Sequence, residues 1–78
     1  MEMSRNKKVF ITGCGGMLGK AVYEQFSPHC QVLATDIDLN EPWLEYGDVI
    51  DFKQMSEKAF KFEPDLIINL AALTDLEY

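Results

Sequence analysis

Seventy-eight residues, 47% hydrophobic and 26% charged, make at most one small domain with a thin core, and the charge is too mixed for a disordered tail. Thirteen acidic against seven basic residues give a net charge of −6, which repels nucleic acid and anionic membrane surfaces. Two cysteines, Cys14 and Cys30, are a sparse disulfide framework, and neither a secretory signal nor an apolar run of ~18 residues is visible, so free thiols and a cytoplasmic setting are expected.

Residues 1–7 are polar and expected to fray, and their basic cluster with Lys8 (Arg5, Lys7) is too short to track a phosphate backbone. Residues 8–12 are a β-branched and aromatic run ended by glycine, which reads as a buried strand. Gly13, Gly15, Gly16 and Gly19 follow within seven positions and demand a sharp turn. Met17, Leu18, Ala21, Val22 and Phe26 then recur at helical spacing until Ser27 and Pro28 end the helix. Residues 31–36 form a second strand with Val32, Leu33 and Ala34 at its centre and a carboxylate at its exit.

Positions 36–48 are irregular, holding Asn40, Pro42 and Trp43, with at most a short third strand at 45–47. Asp51 is placed to cap a second helix with Gln54 at its third position, a variant of the capping box. Phe52, Met55, Ala59 and Phe60 make one apolar face of that helix, which ends near Phe62 before Pro64. Residues 66–72 are the most apolar run and predict a strand covered on both faces. Alternation of this kind implies a parallel sheet with right-handed crossovers and strand order 3-2-1-4. The fold class is therefore α/β, the N-terminal half of a Rossmann-type parallel sheet with about four strands and two helices. Residues 1–78 are read as one partial NAD(P)-binding domain with no substrate domain.

Chemistry concentrates in the glycine loop. Gly13, Gly16 and Gly19 form G-x-x-G-x-x-G between a buried strand and an amphipathic helix, where a bare backbone lets a pyrophosphate approach the unpaired N–H groups of the helix N-terminus. Asp36, 23 residues after Gly13, closes the second strand where an adenosine ribose would arrive. A carboxylate there accepts hydrogen bonds from both ribose hydroxyls and repels a 2′-phosphate, so NAD(H) is favoured. NADP(H) stays open because Lys20 is near, and Asp38 is an alternative carboxylate. Gly19-Lys20 imitates the end of a P-loop, but Cys14 stands where that motif needs glycine and Ala21 where it needs a hydroxyl. His29, beside Pro28, reads as an exposed loop residue rather than a ligand or base. Cys14 reads as loop packing, with a lowered thiol pKa at the helix N-terminus as the alternative.

These residues carry a resemblance. Residues 11–19 (Ile-Thr-Gly-Cys-Gly-Gly-Met-Leu-Gly) resemble the T-G-x-x-G-x-x-G loop of the extended short-chain dehydrogenase/reductase family. Gly47-Asp48-Val49-Ile50-Asp51 resembles its G-D-[IV]-x-D motif, and Asn69-Leu70-Ala71-Ala72 its small-residue strand end. The resemblance implies that Gly13, Gly16, Met17, Leu18 and Gly19 face the cofactor phosphates, that Asp48 and Val49 contact the adenine, and that Ala71, Ala72 and Leu73 line the path of the pyrophosphate and nicotinamide ribose. Taken from the residues alone, Asp48 and Asp51 also suit turn and cap positions, and Ala71 and Ala72 suit core packing.

The short connection between Asp36 and Asp48, together with Pro64-Asp65-Leu66-Ile67-Ile68-Asn69 and Thr74, resembles dTDP-4-dehydrorhamnose reductases. That resemblance implies an oxidoreductase whose nucleotide-sugar substrate, a 4-keto-6-deoxysugar, receives hydride from NAD(P)H. The family's Tyr-x-x-x-Lys pair, in which lysine lowers the pKa of a proton-donating tyrosine, is missing: four residues beyond Tyr23 stands Ser27, beyond Tyr46 Ile50, and Tyr78 is last. No catalytic and no metal-ligating residue is therefore assigned, and the chain is expected to be a fragment of a longer parent. A non-catalytic dinucleotide-binding regulatory subunit of the same fold is the alternative, since the methionine adenosyltransferase regulatory subunit looks similar and shares the short connection. Self-association through the 66–73 strand is also expected, because no charged residue blunts that edge.

Overall fold

The computed structural model describes residues 7–70. The lead-in at 1–6 with Arg5, and Ala71, Ala72, Leu73 and Thr74, lie outside the described residues.

Six elements follow in order: β1 (Lys8–Thr12), α1 (Met17–Phe26), β2 (Gln31–Asp36), β3 (Leu44–Tyr46), α2 (Phe52–Phe62) and β4 (Leu66–Asn69). All pairings are parallel and the sheet order is β3-β2-β1-β4, as expected for a Rossmann-like half-fold. Alternation along β1 sends Val9 and Ile11 to one face and Phe10 and Thr12 to the other. Val9, Ile11, Cys14, Ala34, Leu44 and Leu70 form the core, with Val22, Tyr23 and Phe26 of α1 packed against it. The second face carries Phe10 and Thr12 beneath Met55 and Ala59 of α2.

Several expectations need correction. The inward face of α1 is Gly19, Val22, Tyr23 and Phe26, whereas Met17 is 91% exposed and Leu18 and Ala21 are exposed too. In the first turn Gly19 takes the inward position against Cys14, which turns Met17 and Leu18 away from the core. The apolar residues of α2 likewise split: Met55 and Ala59 are half-buried while Phe52 and Phe60 are 81% and 84% exposed. Phe60 lies about 100° round the helix from its neighbour Ala59, and Phe52 is the first residue of α2, so both project past the half-buried Met55–Ala59 stripe. Finally, β4 is not covered on both faces, since Leu66, Ile67 and Asn69 are exposed. It is an edge of the described sheet, and α2 lies over β1 rather than over it. The third strand is one residue earlier than expected, because Leu44 is the residue that enters the core.

Local chemistry explains the element ends. Asp51 caps α2 by accepting the Gln54 N–H at 3.1 Å. Gln54 does not complete a capping box; its side-chain oxygen instead accepts the Asp48 N–H at 3.3 Å, which ties the preceding turn to the helix. Glu63, in the left-handed region at φ 54, closes α2 by returning its N–H to the Ala59 carbonyl. Asp65 then pins the start of β4, accepting the Lys8 N–H on its carboxylate at 2.9 Å while its own N–H donates to the Lys8 carbonyl at 2.7 Å.

Residues 37–43 join β2 to β3 without a helix. They are held as a strap: Trp43 lies against Tyr23 of α1 with ring centroids 3.9 Å apart and planes within 5°. Nearly cofacial rings are electrostatically the poorer arrangement, so the stack is set by burial of both rings against the core.

Candidate functional site

The loop after β1 turns at Gly13, whose φ of 70 favours glycine. Its next residue is anchored twice: the Cys14 N–H donates to the Thr35 carbonyl at 3.0 Å and its Sγ to the Gly19 carbonyl at 3.2 Å. Cys14 is fully buried, and burial, followed by the Asp36 charge, pushes its thiol up to about 11. A lowered, reactive thiol is thereby excluded, and Cys14 is a packing residue. Gly19 is required by the same contact, since a Cβ there would lie 2.3 Å from the Cys14 carbonyl oxygen.

Gly16 differs. It is the N-cap of α1, with no side-chain cap and no acidic residue in the first turn, and a Cβ on it would meet nothing within 4 Å. The first N–H groups of α1 therefore open onto free space, the arrangement that accommodates an anion.

That space is a cleft of about 420 Å³ at the C-terminal ends of the strands, within the ~300–1,000 Å³ of ordinary ligand pockets. The loop and α1 supply Gly13, Gly16, Met17, Leu18 and Gly19; the exit of β2 supplies Asp36 and Ile37; the turn after β3 supplies Gly47, Asp48 and Val49; Leu70 follows β4. Every expected site residue within 7–70 lines this one cleft. Ala71, Ala72 and Leu73 lie outside the described residues. Among the described residues, the charged groups on its walls are Asp36 and Asp48, with no lysine or arginine.

Asp36 faces the loop directly. Its Oδ2 accepts the Gly15 N–H at 2.9 Å and its Oδ1 the Asp38 N–H at 2.9 Å. A Cβ on Gly15 would sit 2.9 Å from the Asp36 carboxyl carbon, so a glycine outside the G-x-x-G-x-x-G spacing is the one that admits this carboxylate. Asp38 is exposed and serves as a backbone donor, so of the two carboxylates at the exit of β2 it is Asp36 that lines the cleft. Asp48 uses one oxygen to accept the Ile50 N–H at 3.1 Å, the turn role open to it from its sequence, and also lines the cleft. Gly47, expected as a strand end and as part of the G-D motif, follows β3 and lines the cleft, and a Cβ on it would meet Thr35 at 2.8 Å and Met55 at 3.1 Å. Ile37 and Asn40 carried no signal. The Asn40 side-chain amide donates to the Gly15 carbonyl at 2.9 Å. His29 is exposed, and among the described residues no group of His, Cys, Asp and Glu could hold a metal ion. Nor is any helix among them long and apolar enough to cross a membrane.

A parallel β3-β2-β1-β4 sheet, with a glycine loop opening a helix at the strand ends, defines the class: a Rossmann-like α/β half-fold. Among particular proteins, the chain is 29% identical over 68 residues to methionine adenosyltransferase 2 subunit beta of Bos taurus, covering 86% of this chain and 20% of the relative. It is 33% identical over 67 residues to the same subunit of Xenopus tropicalis, covering 85% and 20%. The chain thus spans about a fifth of the length of the curated relatives it matches. No family model matches it. The likeness is weak and supports the short-chain dehydrogenase/reductase superfamily level of the resemblance, not dTDP-4-dehydrorhamnose reductase in particular.

Proposed function

We propose that residues 7–70 belong to a partial Rossmann domain that binds NAD(H), within a protein of the short-chain dehydrogenase/reductase type. The observation that carries this is the juxtaposition of Asp36 with the glycine loop beside an uncapped helix N-terminus. The pyrophosphate would lie over Gly16 and the first N–H groups of α1. The adenosine ribose would donate to Asp36, and the adenine would enter between the apolar side chains of Ile37 and Val49. Met17 and Leu18 would border the phosphates, and Ala71, Ala72 and Leu73 the nicotinamide side. With two carboxylates and no cation on the walls, a 2′-phosphate is disfavoured, so NADP(H) binds more weakly.

For the whole protein, the relatives favour an accessory role: both are named as subunits of methionine adenosyltransferase 2. A non-catalytic dinucleotide-binding regulatory subunit is therefore the leading reading. The second reading, a nucleotide-sugar reductase acting on a 4-keto-6-deoxysugar, rests on the resemblance of residues 64–69 and the short strap. A cytoplasmic setting accords with both.

Calorimetric titration of the chain with NAD⁺, NADH, NADP⁺ and NADPH tests the site. Saturable binding of the NAD pair, at least tenfold tighter than the NADP pair, is expected, a difference of about 1.4 kcal/mol. No binding at about 1 mM, where the affinity would be only about 4 kcal/mol, would remove the dinucleotide reading. Co-purification of the full-length protein with a methionine adenosyltransferase catalytic subunit, against turnover of a dTDP-4-keto-6-deoxysugar, separates the two readings of the whole.

A further inference from the structure

Gly15 is held through both of its backbone polar groups, one by the last residue of β2 and the other by the strap that follows it. Its N–H donates to Asp36 Oδ2 at 2.9 Å, and its carbonyl accepts from the side-chain amide of Asn40 at 2.9 Å. At one end the Gly47 N–H returns to the Asp36 carbonyl at 3.1 Å, and at the other Trp43 is stacked on Tyr23. Asn40, an exposed residue, is the one in the strap that donates a side-chain hydrogen bond to the glycine loop among the described residues.

An ionised carboxylate offers about four lone-pair positions. Two on Asp36 are taken by the Gly15 and Asp38 N–H groups, which fixes the plane of the carboxylate and leaves acceptor positions for a vicinal diol. That plane holds only while Gly15 stays against Asp36. Cys14 beside it is anchored to Thr35 and Gly19, and the Asn40 amide adds the one side-chain restraint that the strap places on Gly15 itself, on the side opposite Asp36.

We propose that Asn40 is a positioning residue for the ribose side of the cleft. It holds Gly15, and through Gly15 the Asp36 carboxylate, in the orientation that accepts two ribose hydroxyls. The inference rests on the dinucleotide reading and goes beyond it in assigning a residue that would touch no ligand. It makes selectivity for the diol depend on a side chain four positions beyond the carboxylate that accepts it.

The test compares probes that carry a ribose with one that does not. Wild type, Asn40→Ala and Asn40→Asp are titrated with NAD⁺, AMP and inorganic pyrophosphate, and each variant's thermal unfolding is recorded. Asn40→Asp keeps the size but cannot donate, and it brings a further carboxylate toward Asp36. Asn40→Ala is expected to weaken NAD⁺ and AMP alike by about threefold to tenfold, the range of one hydrogen bond, and Asn40→Asp by at least as much. Pyrophosphate binding is expected to stay unchanged in Asn40→Ala, and in Asn40→Asp to fall less than AMP binding, the added charge repelling either anion. Equal losses for pyrophosphate and AMP would overturn the proposal by showing general damage to the loop. Unchanged AMP and NAD⁺ affinity in both variants, with wild type binding normally, would show Asn40 to be idle. Wild type binding none of the nucleotides would instead remove the dinucleotide reading itself, and the proposal with it.

Discussion

Gly15 and Asp36, 21 positions apart, meet through an N–H to carboxylate hydrogen bond of 2.9 Å that joins the glycine loop to the exit of β2. The contact leaves no room for a Cβ on Gly15 and pins one oxygen of the carboxylate. Gly15→Ala is therefore expected to displace Asp36 without emptying the core, and Asp36→Ala to remove the acceptor outright. Both variants should weaken NAD(H) and narrow its advantage over NADP(H), as read by parallel titrations. An Asp36→Ala protein with the wild-type preference would show that the carboxylate does not select the cofactor.

Gly16 and Gly19 separate ligand approach from packing. A Cβ on Gly16 enters open space, whereas one on Gly19 meets the Cys14 backbone at 2.3–2.5 Å. Gly16→Val is expected to abolish dinucleotide binding with most helical content retained, while Gly19→Ala should unfold the chain at a temperature lower by several degrees. Circular dichroism melts and titrations on the two variants check this. Unchanged affinity in Gly16→Val would reduce the loop to a turn.

Cys14 gives a pH dependence of known sign. Its thiol is raised from 9.0 to about 11 in the folded chain by burial and, secondarily, by the Asp36 charge. Between those values the unfolded chain releases this proton and the folded chain keeps it, so stability falls as pH rises from about 9 toward 11. The contribution is fully present below pH 9. Denaturant titrations from pH 8 to pH 11 should show a steeper loss in wild type than in Cys14→Ala, and identical slopes would contradict the assignment. At pH 8 an alkylating reagent should label native Cys30, which is half-buried, before the fully buried Cys14.

Self-association is expected at the open side of β4. Its one neighbour in the described sheet is β1, its four residues carry no charge, and Ile67 is 56% exposed. An unpaired edge of this kind is a template for another strand. Sedimentation at micromolar concentration should reveal a concentration-dependent dimer, and Ile67→Lys should shift it toward monomer. A compact, cooperatively folding wild-type monomer would defeat the expectation.

Much of the fold was legible because its signals are local. β-Branched and aromatic runs ended by glycine or proline specify the strands, Asp51 and Pro64 bound α2, and the alternation of elements dictates parallel pairing in the order 3-2-1-4. The glycines and Asp36 of the cleft were legible for a related reason: glycine spacing and a carboxylate at a strand end reflect backbone requirements that few other residue types meet, whereas Met17, Leu18, Asp48 and Val49 rested on the resemblance and Ile37 carried no signal. Tertiary structure alone decided which apolar side chains are buried. Met17, Phe52 and Phe60 are as hydrophobic as Val22 and Met55, yet they lie beyond the area a four-stranded sheet covers. It alone brought Gly15 to Asp36 and Asn40 to Gly15, because a hydrogen bond between residues 21 or 25 positions apart depends on the path of the strap and leaves no periodic trace in the chain.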